Sequence, residues 1–135
     1  MSQPRPAPIR TQDNAFFWDA AAARRLVAQR CAECGTIRHP PRPMCAVCGA
    51  LGIEVVELSG RGRVLSCVAL HYPQNPRFDY PVLGALIDLD EGIRLVSNIV
   101  DAQLADVAIG DRVEVTFAAT DDEGAVPVFR RIESA

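Results

Sequence analysis

Residues 31–49 read CAECGTIRHPPRPMCAVCG. The stretch contains Cys-x-x-Cys-Gly twice, at residues 31–35 and 45–49, with ten residues between the two pairs. Two cysteines three positions apart on a tight turn direct both sulfurs towards one ion. A glycine after the second cysteine permits the left-handed backbone conformation that this turn favours. The pattern therefore predicts two knuckles that share one metal ion.

Four thiolates complete a tetrahedral site and leave no open position, so we expect a structural rather than a catalytic metal. The predicted ligands are Cys31, Cys34, Cys45 and Cys48. A single Cys-x-x-Cys would also fit a redox pair, but the doubled motif with doubled glycines argues against that. A tetrahedral thiolate site accepts zinc or iron. Zinc is favoured because it is common in such ribbons, whereas iron would indicate a redox protein of the rubredoxin type.

The chain contains two other residues that could bind a metal, and we interpret both as non-ligands. Cys67 lies in a predicted strand, where a buried and inert thiol is expected. His39 lies between the knuckles, and because four cysteines are available we expect it to be a surface residue.

Upstream of the knuckles, residues 13–23 open with capping residues and continue with strong helix formers, which predicts a short helix. Phe16, Phe17 and Trp18 are consecutive and cannot all lie on one helix face. The helix could simply dock on its own core. The alternative is that part of this aromatic surface contacts a partner protein, which makes Phe16, Phe17 and Trp18 candidate interface residues.

Downstream, short apolar runs alternate with turn residues, which is typical of an antiparallel β domain. Five strands and a single helical turn within residues 101–110 fit a small barrel of the OB type, with an SH3-like barrel as the nearest competitor. A further run at 53–58 could pair with either the barrel or the ribbon. The strands are predicted at residues 63–70, 82–89, 93–100, 112–118 and 126–132.

The expected chain is mainly β and has three parts. Residues 1–12 form a flexible proline-rich arm, residues 13–52 form the helix and a rubredoxin-like zinc ribbon, and residues 53–135 form the five-stranded OB-fold barrel.

Composition excludes several classes of function. The formal net charge of −3 does not supply the basic surface that binding to a phosphate backbone requires. No apolar run approaches the roughly 18 to 20 residues of a membrane-spanning helix. Residues 1–12 lack the apolar stretch of a secretory signal, so we expect a cytoplasmic protein. In that reducing compartment, paired cysteines are more often metal ligands than disulfides.

No catalytic constellation is evident in the sequence. It offers no paired Cys and His, no Ser-His-Asp order and no phosphate loop, and it contains no lysine that could form a Schiff base. We therefore expect no catalytic residues.

Taken together, these residues resemble a known family: zinc-ribbon and OB-fold proteins, long of unknown function, that accompany enzymes acting on acyl-CoA thioesters. The resemblance runs from about residue 16 to residue 132. One departure is Ala46, where the family more often places proline. The motifs that carry the resemblance are Phe17-Trp18 and residues 26–35, 40–45, 59–64, 88–92 and 109–113.

The resemblance implies a non-catalytic subunit with a structural Zn²⁺. Family members accompany thiolase-fold enzymes, namely thiolases and lipid-transfer-protein-like aldolases that form or cleave carbon–carbon bonds, and some accompany hotdog-fold hydratases. The ribbon and helix, with Phe16, Phe17 and Trp18, would dock on the partner. The barrel would shape or cover the channel that holds coenzyme A, in the metabolism of lipids, steroids or aromatic acids.

Two functions are therefore weighed. In the first, the chain helps to position an acyl-CoA thioester, because arginine forks suit phosphates and aromatic side chains suit a pantetheine or acyl channel. In the second, it is a nucleic-acid-binding ribbon and OB module, which the acidic balance disfavours. The candidate acyl-CoA-binding residues are Arg61, Arg63, His71, Tyr72, Arg77, Phe78 and Tyr80.

Overall fold

The computed structural model describes residues 4–132. Its α-helix, α1, spans Ala15–Ala22 and lies within the predicted segment. Phe17, Ala20 and Ala21 form the buried face of α1. Their spacing at three and four positions places them on one side of the helix, as expected for a short amphipathic helix that packs on a core.

The ribbon is a small antiparallel sheet that follows α1. Its strands are β1 (Val27–Cys31), β2 (Ile37–Arg38) and β3 (Ile53–Glu57), in the order β2-β1-β3. All five residues of β3 pair with β1, from Ile53 opposite Cys31 to Glu57 opposite Val27. β3 therefore belongs to the ribbon sheet, which answers the question that the sequence left open for residues 53–58. By strand pairing, the ribbon extends through Glu57.

The barrel closes in the strand order β4-β5-β6-β8-β7. Four of the strand contacts are antiparallel, and β6 runs parallel to β8. This order is that of a Greek-key OB barrel and excludes the SH3-like alternative. A single 3₁₀ turn at Leu104–Asp106 lies in the predicted connection. The strands are β4 (Arg61–Leu70), β5 (Val82–Leu89), β6 (Arg94–Val100), β7 (Arg112–Ala119) and β8 (Ala125–Arg131).

One apolar core connects the ribbon to the barrel. Strict alternation along β5 buries Leu83, Ala85, Ile87 and Leu89 inside the barrel. The same buried cluster includes residues of α1 and of the ribbon, because α1 packs against β1 and β8. The ribbon and the barrel therefore stabilise one another through shared contacts. The cluster members outside the barrel strands are Phe17, Leu26, Ala28 and Leu58.

The sequence predicts a flexible arm over residues 1–12, and the structure places part of it against the barrel. Residues 1–3 lie outside the described part of the chain. Arg5 forms a parallel bridge with Thr120, and its amide donates a 2.9 Å hydrogen bond to the carbonyl oxygen of Ala119. Across the described residues, no helix is both long enough and apolar enough to cross a membrane.

Candidate functional site

The four predicted cysteine ligands converge on one point. Their Sγ atoms all lie within 4.8 Å of one another. The Sγ atoms of Cys31 and Cys48 are 3.5 Å apart, and those of Cys34 and Cys45 are 3.6 Å apart. A Zn–S bond of about 2.3 Å at tetrahedral angles requires sulfurs about 3.8 Å apart, so the set fits a Zn²⁺ ion. Cys31 and Cys45 are buried, whereas Cys34 and Cys48 are exposed.

The local sequence forms the two knuckles in the same way. Gly35 donates its amide to the carbonyl oxygen of Cys31 at 2.9 Å, and Gly49 does the same to Cys45 at 2.9 Å. Gly35 has φ of +79° and Gly49 has φ of +76°, which confirms the predicted left-handed positions. Each turn therefore brings a pair of sulfurs to the same side of the chain.

Backbone amides prepare the first sulfur of each knuckle for a metal. The amides of Cys48 and Val47 face Cys45 Sγ and lower the pKa of that thiol to about 6. The amides of Cys34 and Glu33 lower the pKa of Cys31 in the same way. Hydrogen bonds to sulfur favour the thiolate, which is the form that binds metal. The donor set suits a structural Zn²⁺, and the lowered pKa values of Cys31 and Cys45 favour the thiolates that would bind it. The neighbouring thiols raise the pKa of Cys48.

The expectation that His39 is a surface residue is wrong. Its ring is half-buried and stacks obliquely on Phe17, with centroids 5.2 Å apart. Burial lowers the pKa of His39, because the charged imidazolium would lose its hydration. His39 therefore packs the junction between the ribbon and α1. Cys67 is half-buried on β4, and partial burial raises the pKa of its thiol, in keeping with an unreactive cysteine.

The three aromatic side chains of α1 differ in exposure. Phe17 is only 5% exposed and belongs to the core, so it is not available to a partner. It packs edge-on against Trp18, with ring centroids 4.8 Å apart. Phe16 and Trp18 are half-buried against the same core. The predicted interface on this helix is thus reduced to the exposed edges of Phe16 and Trp18.

The candidate acyl-CoA-binding residues do not form one cluster. Arg61 and Arg63 lie at the N-terminal end of β4, next to the β5–β6 turn. The other candidates lie in the loop after Leu70, roughly 25 to 30 Å further along the same strand. The structure therefore separates the predicted set into two groups at opposite ends of the barrel. The loop group comprises His71, Tyr72, Arg77, Phe78 and Tyr80.

Within the loop group, the residues differ in what they contact. His71 and Tyr72 are exposed to solvent. The hydroxyl of Tyr80 accepts a 2.8 Å hydrogen bond from the amide of Asn75, which orders the loop. Arg77 pairs with Asp121 at 2.6 Å, so its charge is largely neutralised. The guanidinium group of Arg5 lies over the ring of Phe78.

A cleft with a volume of about 740 Å³ opens at this end of the barrel. Arg77 and Phe78 line it together with residues of the arm and of the barrel strands. Arg5 lies 5.2 Å from the centroid of the Phe78 ring and donates a 2.6 Å hydrogen bond to Asn98 Oδ1. Partial burial lowers the pKa of Arg5. Among the described residues, Arg5 has no carboxylate partner within ion-pair distance.

Sequence reasoning missed Arg5 and Asn98. Arg5 lies in the arm that the sequence presents as flexible, and Asn98 lies in a strand with no motif of its own. The two residues are 93 positions apart, and no local pattern links them.

Two family models match this chain. The ChsH2 rubredoxin-like zinc ribbon domain matches residues 18–54, and the ChsH2 C-terminal OB-fold domain matches residues 55–118. These matches agree with the helix, ribbon and barrel described above.

Curated relatives carry two kinds of name. A probable enoyl-CoA hydratase alpha subunit from Thermomonospora curvata is 45% identical over 93% of this chain. The 3-oxo-4,17-pregnadiene-20-carboxyl-CoA hydratase alpha subunit from Mycobacterium tuberculosis is 41% identical over 82% of it. The chain spans only 40% and 35% of the length of these two relatives. A DUF35 domain-containing scaffold protein from Methanothermobacter thermautotrophicus is 35% identical, and the match covers 73% of this chain and 76% of the relative.

A solved structure has the same architecture along nearly its whole length. A chain of the Ltp2-ChsH2(DUF35) aldolase superposes with a TM-score of 0.88 at 44% identity. The match covers 93% of this chain and 98% of that chain. The chain therefore belongs to the ChsH2 family of zinc-ribbon and OB-fold proteins, which includes proteins named for the DUF35 domain.

Proposed function

We propose that this chain is a non-catalytic accessory subunit of an enzyme complex that acts on acyl-CoA thioesters. The observation that carries the proposal is its full-length similarity to the ChsH2 chain of an aldolase complex. The names of the hydratase alpha subunits and of the scaffold relative point the same way. Its four clustered cysteines suit a metal that holds a scaffold rather than one that binds substrate.

The partner that fits best is a thiolase-fold enzyme, either a thiolase or a lipid-transfer-protein-like aldolase. A hotdog-fold hydratase is a further partner class, supported by the names of the two hydratase relatives. The partner supplies the nucleophile and the acid and base groups. On this chain, the exposed edges of Phe16 and Trp18 contribute to the contact.

We expect this chain alone to show no turnover of any acyl-CoA, because it lacks an activated nucleophile. The Ltp2 subunit of the solved aldolase provides a direct test. Ltp2 alone should have low aldolase activity, and adding this chain should raise it. A rate that follows this chain through successive purification steps without Ltp2 would show that the chain is an enzyme in its own right.

The cleft beside Arg5 is the proposed contact site for the coenzyme A part of the substrate. Arg5 has guanidinium donors free for phosphate oxygens, and Phe78 provides an apolar face beside them. Asp79 and Asp101 also line the cleft. Their negative charges would repel further anionic groups, which limits how many phosphates the cleft accepts. Arg61 and Arg63 do not line this cleft, because they lie at the other end of the barrel.

Replacing Arg5 by glutamine should weaken acetyl-CoA binding to the assembled complex by about tenfold, because a hydrogen bond to a charged group contributes roughly 1.5 to 3 kcal/mol. Isothermal titration calorimetry measures this change. Arg42→Gln, at an exposed ribbon arginine outside the cleft lining, is the matched control and should change the Kd less than about twofold. Equal affinity for the wild-type and Arg5→Gln complexes would remove the cleft from the proposed function.

A further inference from the structure

An apolar surface covers the outside of three neighbouring barrel strands. We name it the β4–β6 face, and its centre is Gly84. Strand register makes the face continuous: Val68 lies opposite Gly84, Leu70 opposite Val82, and Leu86 lies between Ser66 and Val96. These residues alternate with the inward-facing core residues of the same strands, so their side chains point away from the barrel interior.

Much of this face is exposed. Its covered edge is at Asn98, which lies opposite Gly84 and accepts a hydrogen bond from Arg5. Val68 is 55% exposed, Leu70 is 46% exposed and Val96 is 78% exposed. A Cβ atom added to Gly84 would lie 3.6 Å from Leu70 Cδ1 and 3.7 Å from Val68 Cγ2. Gly84 therefore leaves a shallow depression between apolar side chains. A cluster of exposed aliphatic side chains on adjacent strands is more typical of a protein interface than of free surface.

Unpaired arginines border one end of the β4–β6 face. Arg61, Arg63 and Arg94 are exposed and form no ion pair within the described part of the chain. Asp88 lies directly opposite both Arg63 and Arg94. Glu114 lies opposite Arg61 but is paired with Arg130 at 3.0 Å. Asp90 is already held by Arg112 at 2.9 Å. The border of the face thus carries an excess of positive charge.

This combination favours a protein occupant over a nucleic acid. Single-stranded nucleic acids bind OB folds through stacked aromatic side chains in a basic groove. The central side chains of the β4–β6 face are aliphatic, and its charge is confined to one end. The surface suits a partner protein that presents aliphatic side chains to the centre of the face and carboxylates to its arginine border.

From the exposure, continuity and charge of this surface, we infer that the β4–β6 face is the main docking surface for the partner enzyme. The inference rests on the proposed function, which supplies the partner, and adds where the partner binds and what chemistry it presents. The aromatic helix exposes less apolar surface to a partner, because Phe17 is buried and Phe16 and Trp18 are half-buried. A second copy of the chain fits less well, because like charges would meet wherever the two arginine borders came together.

The central test places a carboxylate in the middle of the β4–β6 face. Val96→Glu should weaken binding to purified Ltp2 by about tenfold or more, because an unpaired charge would be buried in an apolar contact. Ile109→Glu is the matched control, because Ile109 is also 78% exposed but lies outside this face. The control should bind within about twofold of the wild type. Biolayer interferometry with zinc-loaded protein measures the affinities, and circular dichroism checks that each variant is folded.

A second test concerns the charged border. The double variant Arg63→Glu and Arg94→Glu should bind Ltp2 at least about tenfold more weakly at low salt. The difference from wild type should shrink as salt is raised, because salt screens exposed charges. Arg42→Glu is the control, because Arg42 is an exposed ribbon arginine that forms no ion pair with residues 4–132, and it should keep wild-type affinity.

The outcomes separate the inference from the function on which it rests. If wild-type chain binds Ltp2 and Val96→Glu binds equally well, the inference is wrong while the proposed function stands. If Val55→Glu, at a 54% exposed residue of ribbon strand β3, weakens binding and Val96→Glu does not, the docking surface is on the ribbon. If wild-type chain is a dimer that Val96→Glu dissociates, the face binds a second copy. If wild-type chain does not bind Ltp2, the proposed partner fails, and the inference fails with it.

Discussion

Replacing Cys34 or Cys48 by serine should release the metal and unfold the ribbon while most of the barrel stays folded. The ribbon has only three short strands, so it has little core of its own. In ribbons of this kind, metal binding supplies most of the folding free energy, with apparent values of about 10 to 16 kcal/mol for structural zinc in peptides. The barrel retains Val64, Ile87, Val113 and Phe129, which are all at most 1% exposed.

Elemental analysis and circular dichroism measure this effect. Wild-type protein should contain close to one zinc per chain, and the serine variants should contain almost none. Cys67→Ser is the matched control, because Cys67 lies on β4 and outside the cysteine cluster, so its zinc content should equal that of the wild type. Well-folded wild-type protein without metal would contradict the site assignment, and the absorption spectrum of an iron–thiolate centre would indicate the rubredoxin type.

The metal site could be predicted from the sequence because its geometry is local. Each knuckle is a five-residue turn whose cysteines and glycine determine its shape. The spacer between the knuckles is short, so the two pairs have few ways to meet. The barrel strands were predictable for a similar reason, because they are short apolar runs bounded by turn residues, and alternation along β7 is visible in the sequence alone.

Long-range pairing could not be predicted in the same way. Residues 53–58 read as a strand, but the sequence left open whether they pair with the ribbon or the barrel. Strand β3 pairs with β1, which is more than twenty positions earlier in the chain. The cleft depends on Arg5 meeting Asn98 and Phe78, which only the closed barrel brings together. The burial of individual side chains on α1 could not be predicted either, because it depends on how the helix packs against β8.

Phe17 connects the ribbon, the helix and the barrel, and its removal should therefore be costly. The side chain is 5% exposed and contacts Trp18 edge-on and His39 obliquely. It belongs to the same buried cluster as Leu26 of the ribbon and Leu95 of the barrel. Truncating a buried phenylalanine to alanine removes apolar contacts and leaves a cavity that packed neighbours fill only in part.

We expect Phe17→Ala to lower the free energy of unfolding by about 3 to 5 kcal/mol. Phe16→Ala, on the half-buried neighbour, should cost less than about 2 kcal/mol, because part of its ring already faces solvent. Urea unfolding of the zinc-loaded variants, followed by tryptophan fluorescence and circular dichroism, measures both values. If Phe17→Ala were as stable as the wild type but did not bind Ltp2, Phe17 would belong to the partner interface. Its role would then be binding rather than stabilisation of the core.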